Sequence, residues 1–402
     1  MNYSIQLATA FLTILMLDGS PILAQKKQDT LVREAGHLWG LGFGDFAYKA
    51  KSDALNRGGT NQYTGIEKHQ SLFQLRRIYL GYNSKISRRF SSEFLLAMED
   101  NTTPTAIGQN NSTGDLLSNG RYGLFIKTAS VTWNNIMNNQ HLTLGQQFTP
   151  ATVLTTEPIW NYRCIERTIS ELRRTPAWDL GLCLSGTLYN TTATELGYNL
   201  MVGNGTASKP ENNKFKWLYA DIYTRLFHKR ITIDLYADYN RLSWSSPYHH
   251  DRHMIKGMLA YSNDRLTVGV EAFVNTLRND ITAILPDSTS TRINAKALNY
   301  SVFMRGSVYR DILGFFVRYD RFNPAIGIEQ DKFIGYLPST SNYDPRTKER
   351  FMTFGLDFTP NRNIHIMPNI WYMQYQNSDQ GAKQHGTDLV YRVSIYYVYG
   401  KN

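Results

Sequence analysis

Two runs of residues decide the fold of this chain, Leu218–Leu226 (LYADIYTRL) and Ile231–Tyr239 (ITIDLYADY), and a tight turn at His228–Arg230 (HKR) joins them. In each run, apolar residues take every second position, and mostly Tyr, Asp and Arg take the positions between them. A two-residue period places alternate side chains on opposite faces of a β-strand. The two runs therefore predict a β-hairpin with one apolar face and one polar, charged face.

The same alternation recurs along the chain. It predicts sixteen strands, at 38–49, 70–83, 89–99, 122–134, 140–148, 177–188, 194–203, 214–228, 230–242, 253–262, 265–275, 297–309, 311–320, 351–360, 362–375 and 387–399. Their lengths suit tilted strands that cross a bilayer, which takes about 9–11 residues.

The connections between these strands alternate in length. Seven short turns interleave with eight long loops, at 50–69, 100–121, 149–176, 204–213, 243–252, 276–296, 321–350 and 376–386. A soluble β-sandwich also alternates in sequence, but it has no reason to place short and long connections on opposite sides. In bacterial outer-membrane barrels the short turns are periplasmic and the long loops extracellular. We therefore predict an all-β fold: a single closed transmembrane antiparallel β-barrel of about 16 strands, wide enough to hold water.

The amino terminus is predicted to be a separate segment. Residues 7–17 (LATAFLTILML) form an apolar run too short to cross a bilayer as a helix, and Ile22-Leu23-Ala24 precede Gln25. This pattern is typical of a secretory signal with cleavage after Ala24, and the alternative is a buried N-terminal helix. We expect a cleavable signal peptide at 1–24 and a barrel domain at 25–402.

The composition narrows the class of partners. The formal net charge is +10, with 26 Tyr and 7 Trp, residues that suit a membrane–water boundary. A basic exported chain does not meet nucleic acid, so an anionic lipid surface or an anionic solute is the expected partner.

Four segments resemble the phosphate-selective porin family, the 16-stranded phosphate- and polyphosphate-selective outer-membrane porins. They are LRRIYLGY at 75–82, LTLGQQFTP at 142–150, RYDRFNP at 318–324 and GLDFTPN at 355–361. The resemblance spans nearly the whole mature chain in short pieces. It implies passive diffusion of anions through a water-filled barrel, often as a trimer. The chain departs from the family at its end, where Gly400-Lys401-Asn402 follow Tyr399 instead of a terminal aromatic residue.

The third long loop, 149–176, is the candidate for a constriction, because the corresponding loop of general porins folds into the lumen. It carries four arginines, Arg163, Arg167, Arg173 and Arg174, among Glu157, Glu166 and Glu171. Guanidinium groups match phosphate and carboxylate oxygens in bidentate geometry, so this set is predicted to bind anionic solutes. The alternative is that the arginines pair with the three glutamates.

The strands offer further lumenal cations. By parity the lumen wall is predicted to carry Arg77, Arg225, Lys256, Arg305 and Arg318, together with Arg392. A basic side chain facing lipid at the midplane costs roughly 2–4 kcal/mol, so the lumen is preferred. Carboxylates share the same parity, at Glu93, Glu99, Asp221, Asp234, Asp238, Glu271, Asp320 and Asp357. Each wall cation is therefore expected to belong to an ion-pair network that holds the barrel's shape.

The remaining candidate features are few. Cys164 and Cys183 are the only cysteines, and an oxidising compartment permits a disulfide between them. The cluster at 249–253 (HHDRH) lacks a closed zinc spacing, so we predict neither a metal site nor a cofactor.

We therefore expect an outer-membrane porin of a Gram-negative cell for small anionic, phosphate-like solutes, assembled as a homotrimer among outer-membrane lipid and lipopolysaccharide. No Gly-x-Ser-x-Gly motif or matched catalytic set is found, so an enzyme is not expected. The alternative is a non-conducting structural or accessory barrel subunit of a larger membrane complex.

Overall fold

A computed structural model gives the structure of this chain. It describes residues 36–55, 57, 63, 66–99, 123–151, 154–172, 176–207, 209–211, 213–241, 249–328, 332–337, 345–377 and 385–400. The predicted signal peptide at 1–24, the terminal Lys401 and Asn402, and two of the candidate arginines, Arg173 and Arg174, lie outside these described residues.

The described residues form seventeen strands. Their bounds are β1 His37–Lys51, β2 Ser71–Lys85, β3 Phe90–Glu99, β4 Phe125–Met137, β5 Gln140–Phe148, β6 Trp178–Asn190, β7 Glu195–Gly203, β8 Trp217–Leu226, β9 Ile231–Arg241, β10 Asp251–Ser262, β11 Leu266–Ile284, β12 Ser290–Tyr309, β13 Leu313–Asn323, β14 Gly335–Leu337, β15 Thr347–Asn361, β16 Ile364–Asn377 and β17 His385–Tyr399. All but β14 form one antiparallel barrel, which closes where β1 pairs with β17, Gly40 opposite Tyr399. The predicted 16-stranded closed barrel is confirmed.

The alternation of residue types explains which face each strand turns inward. In β9, the inward Asp234 is 0% exposed and the outward Leu235 is 57% exposed. The outward apolar side chains form the surface that suits lipid, and closure pairs the strand backbones without open edges. Among the described residues, no helix has the length and apolarity required to span a bilayer.

The predicted long loop at 276–296 is wrong in extent. Strands β11 and β12 continue through most of it, with Ile281 opposite Ile293, and only 285–289 connect them. A register shift between Leu277 and Ile281 interrupts the two-residue period. Because such a bulge breaks the alternation of apolar and polar residues, the sequence pattern does not predict that the strand continues beyond it. The short β14 pairs with the extension of β11, from Thr282 opposite Leu337 to Ile284 opposite Gly335.

The third loop packs inside the barrel. It contains two short helices, α1 Thr156–Trp160 and α2 Ile169–Leu172. Trp160, Cys164 and Ile165 of the loop share one buried cluster with strand residues that include Phe303 and Phe316. The loop therefore occupies part of the lumen and sets what remains open.

Candidate pore interior

Cationic wall residues hold the third loop by its main chain. Five side chains each donate to a loop carbonyl oxygen, with these pairs and distances: Lys256 Nζ to Ala151 at 2.5 Å, Arg305 Nε to Ile159 at 2.9 Å, Arg76 Nη1 to Cys164 at 2.7 Å, Arg392 Nη1 to Ile165 at 3.3 Å and Arg318 Nη1 to Arg167 at 2.6 Å. A loop with only two short helices leaves many carbonyl groups without main-chain partners. Charged donors satisfy them with strong hydrogen bonds, so the wall cations act first as anchors.

The predicted wall cations also pair with carboxylates. Five of the six lie near an acidic group, in these pairs: Arg77 with Glu99 at 3.6 Å, Arg225 with Glu195 at 3.1 Å, Lys256 with Asp234 at 3.2 Å, Arg318 with Asp320 at 2.5 Å and Arg392 with Asp45 at 3.9 Å. Arg305 differs, because it forms no ion pair with any described residue. The network expected from parity is therefore present around five of these six cations.

Arg76 is a lumenal residue that sequence parity missed. Phe43 pairs with Arg77 and Gly44 pairs with Leu75, so Arg76 is the extra residue of a β-bulge. The bulge turns both Arg76 and Arg77 inward, where they are 3% and 4% exposed. The sequence did contain a signal for this bulge, the adjacent arginines at 76 and 77. In a regular strand, neighbouring side chains point to opposite faces, so one of the two arginines would face lipid.

The loop arginine Arg163 is neutralised by its neighbours. It forms salt bridges to Glu157 and Glu171, and its Nη2 lies 2.6 Å from Glu171 Oε1. Burial would raise the pKa of Glu171, but the charge of Arg163 outweighs it and lowers that pKa. Burial raises the pKa of Glu157. For Arg163 the alternative interpretation, pairing with loop glutamates, is the arrangement present.

Arg167 and Arg305 keep donors free. The guanidinium of Arg167 makes no hydrogen bond to any described residue, lies 3.9 Å from Glu166 at its closest, and its side chain is 27% exposed. Arg305 uses only its Nε, for Ile159, and is half-buried. Both groups can therefore donate to a passing anion in a way that Arg163 cannot.

Cys164 and Cys183 are not bonded to each other in the structure. Both thiols are free and buried. Cys164 contacts Met367, with 4.0 Å between the sulfur atoms, whereas Cys183 packs in a separate cluster with Met201 and Tyr219. The loop and strand β6 thus hold the two sulfurs in different parts of the interior. Burial raises the pKa of the Cys164 thiol to about 12.

A cavity of about 540 Å³ lies beside the loop, against strands β1 to β7. Most of its lining is neutral and polar, from Ser92, Ser130, Thr132, Thr143, Ser185 and Asn199 among others. Lys85 and Glu93 add one charge of each sign, and Leu154 of the loop forms part of its wall. A polar space of this size holds water.

The histidine cluster at 249–253 makes ordinary contacts. His250 Nε2 lies 2.9 Å from Asp280 Oδ1. Within the part of the chain that the structure describes, no three His, Cys, Asp or Glu side chains come together as a metal site.

Comparison with known proteins shows the fold and nothing finer. No protein-family model and no curated sequence matches the chain. Among solved structures, it is similar to the outer membrane channel DcaP of Acinetobacter baumannii, at a TM-score of 0.56 and 12% identity over 90% of this chain and 97% of that one. It is also similar to an anion-selective porin from Comamonas acidovorans, at 0.54 and 12% over 91% and 99%. OmpT of Vibrio cholerae in a trimer form follows, at 0.53 and 10% over 91% and 100%. The chain therefore has the barrel fold of outer-membrane porins.

Proposed function

We propose that this chain is an outer-membrane porin, exported by a cleaved signal peptide, that lets small anionic, phosphate-like solutes diffuse passively and catalyses no reaction. The observation that carries the proposal is a closed barrel of porin fold with a polar cavity beside an inward-folded loop. At this width a barrel can hold an aqueous path, and the loop narrows that path.

Two accessible arginines in the barrel interior support a preference for anions. Arg167 and Arg305 have free donors and are partly accessible, so they can exchange water for a solute oxygen. The lumenal carboxylates of Asp221, Asp234 and Glu271 are buried, at 3%, 0% and 1% exposure, whereas Glu93 is half-buried and lines the cavity together with Lys85. Accessible groups interact most directly with a diffusing ion, so we place selectivity at the two arginines. Arg173 and Arg174 remain candidates for the same role.

We further propose a homotrimer surrounded by outer-membrane lipid and lipopolysaccharide. The support is that a structurally similar barrel is described in a trimer form. The broad outward apolar surface, which includes Leu235, Ile255 and Phe354, fits either lipid or a neighbouring copy.

A non-conducting accessory barrel is the second candidate. The observation that favours it is the apolar packing inside the lumen, where Trp160 contacts Phe303 and Phe316. Five wall cations anchor the same loop. A loop held in this way could close the barrel.

Planar-bilayer recording of the purified protein distinguishes the anion-selective porin from the non-conducting accessory barrel. Steady conductance steps, with a reversal potential under a salt gradient that indicates anion preference, support the porin. The double variant R167E/R305E should lose that preference while R230E, at an exposed turn, keeps it. A clear cation preference in the wild type contradicts the anionic substrate, and electrical silence favours the accessory barrel.

A further inference from the structure

Two arginines face each other on the outer surface of the barrel. Arg321 of β13 is the direct cross-strand partner of Arg350 of β15. Their neighbours Phe322 and Phe351 are buried in the interior, so alternation turns both arginines outward. Like charges directly opposite on one sheet face repel and destabilise the pairing. Such a pair requires a compensating anion or full hydration.

No described residue supplies that anion. Neither Arg321 nor Arg350 forms an ion pair or a side-chain hydrogen bond with the described part of the chain, and the same holds for the neighbouring Lys348. Glu349 lies between Lys348 and Arg350 in sequence but is 8% exposed and has the opposite parity, toward the interior. This part of the outer face thus carries three cations that have no carboxylate partner among the described residues.

The position of these cations along the strands indicates their depth relative to the membrane. The row that contains the arginines runs from Tyr300 through Arg321 and Arg350 to Gln374. One step toward the barrel middle, the outward row is Tyr319, Met352 and Tyr372, and one step further it is Val317, Phe354 and Ile370.

The outer surface therefore changes from apolar to aromatic to cationic toward the long-loop end. Aromatic rings mark the boundary of the hydrocarbon region, so the cations lie at the level of lipid headgroups. One small cleft of about 10 Å³ lies there, lined by Arg321, Arg350, Lys348, Gln374, Gln376 and Glu349.

We propose that the outward-facing cations around this cleft bind a phosphate group of an outer-leaflet lipid. A phosphate beside the two guanidinium groups and the ammonium would relieve their mutual repulsion, and guanidinium forks donate hydrogen bonds to phosphate oxygens in bidentate geometry. The amides of Gln374 and Gln376 add neutral donors at the rim. The proposal rests on the outer-membrane location proposed above, because only a surrounding leaflet brings lipid phosphate to an outward-facing site.

Titration of the purified full-length protein with fluorescent lipid A tests the site. The probes are bisphosphorylated lipid A and the same lipid with its phosphates removed, and the variants are wild type, R321Q/R350Q and R230Q/R265Q. The last is a matched control, because Arg230 and Arg265 are exposed in short turns at the opposite end. We expect R321Q/R350Q to bind bisphosphorylated lipid A at least about tenfold more weakly than wild type. The control should match wild type, and the dephosphorylated lipid should not distinguish the variants.

Three outcomes would overturn the proposal. The first is equal binding of bisphosphorylated lipid A by wild type and R321Q/R350Q. The second is a loss of binding in R230Q/R265Q as large as that in R321Q/R350Q. The third is displacement of the lipid by equimolar inorganic phosphate, which would indicate a free anion as the occupant. Heat-modified mobility on gels reports that each variant is folded. Conductance is recorded on the same samples, so a barrel that binds lipid A but does not conduct contradicts the pore and leaves the lipid site standing.

Discussion

Replacement of Lys256 by methionine tests whether wall cations hold the third loop inside the barrel. Lys256 is 1% exposed, and its Nζ donates to Ala151 O at 2.5 Å and to Thr156 Oγ1 at 2.8 Å. The same nitrogen lies 3.2 Å from Asp234 Oδ2, which also accepts a hydrogen bond from Thr155. One side chain therefore joins the strand wall, the start of the loop and a buried carboxylate.

The magnitude follows from what K256M leaves behind. Breaking a buried ion pair by removing one partner costs about 3–5 kcal/mol, because the remaining charge is uncompensated. Asp234 is 0% exposed, so water cannot replace the ammonium while the loop stays docked. Undocking the loop hydrates Asp234, and the undocked population should rise by about 10²- to 4 × 10³-fold. In the double variant D234N/K256M only hydrogen bonds are lost, so the cost should fall to about 1–3 kcal/mol.

Two measurements report the undocked loop. Single-channel conductance should rise or become noisy in K256M, since the loop no longer fills part of the lumen. Cys164, the only thiol left in a C183S background, should become reactive to a maleimide, because it is buried only while the loop is docked. K216M is the matched control, since the Lys216 side chain is 38% exposed and pairs with Glu211. Conductance and Cys164 labelling equal to wild type in K256M would refute the anchoring role.

Three further results are expected. R163Q should destabilise the protein at neutral pH, because it leaves Glu157 and Glu171 as adjacent carboxylates without their cation. The pKa of Glu171 is lowered in the folded protein, so the ion pair stabilises the fold fully above the usual glutamate pKa of 4.5 and is lost as the pH falls through the folded-state pKa. Thermal melting temperatures of wild type and R163Q should therefore converge in acid. R167E and R305E should each reduce the anion-to-cation permeability ratio by about twofold or more in reversal-potential measurements, and an unchanged ratio in both would remove these residues from the selectivity region. Since its pKa is raised to about 12, Cys164 should react with iodoacetamide at pH 8 on the order of 10³-fold more slowly than an ordinary thiol, and comparable rates would contradict its burial.

The barrel could be predicted from the sequence because the signals for it are local. The two-residue period in Ile231–Tyr239 depends only on which medium each face meets, and β9 spans Ile231–Arg241 as expected. Bulges break this logic, because one extra residue reverses parity for the rest of the strand. For this reason the sequence did not predict that Arg76 faces the lumen or that β11 continues past Leu277.

The sequence by itself determined three features: apolar and polar residues alternate along each strand, short and long connections alternate between strands, and cations and carboxylates share the inward face. Each of these follows from residues that are close in the chain. Only the tertiary structure decided which of these charges remain available. Arg163 is neutralised by two glutamates of its own loop, whereas Arg305, a wall residue, keeps two guanidinium nitrogens without partners among the described residues. The pairing depends on where the third loop lies against strands more than a hundred residues away, as Lys256 and Ala151 show. The relative placement of loop and wall is set by closure of the whole barrel, which no local pattern encodes.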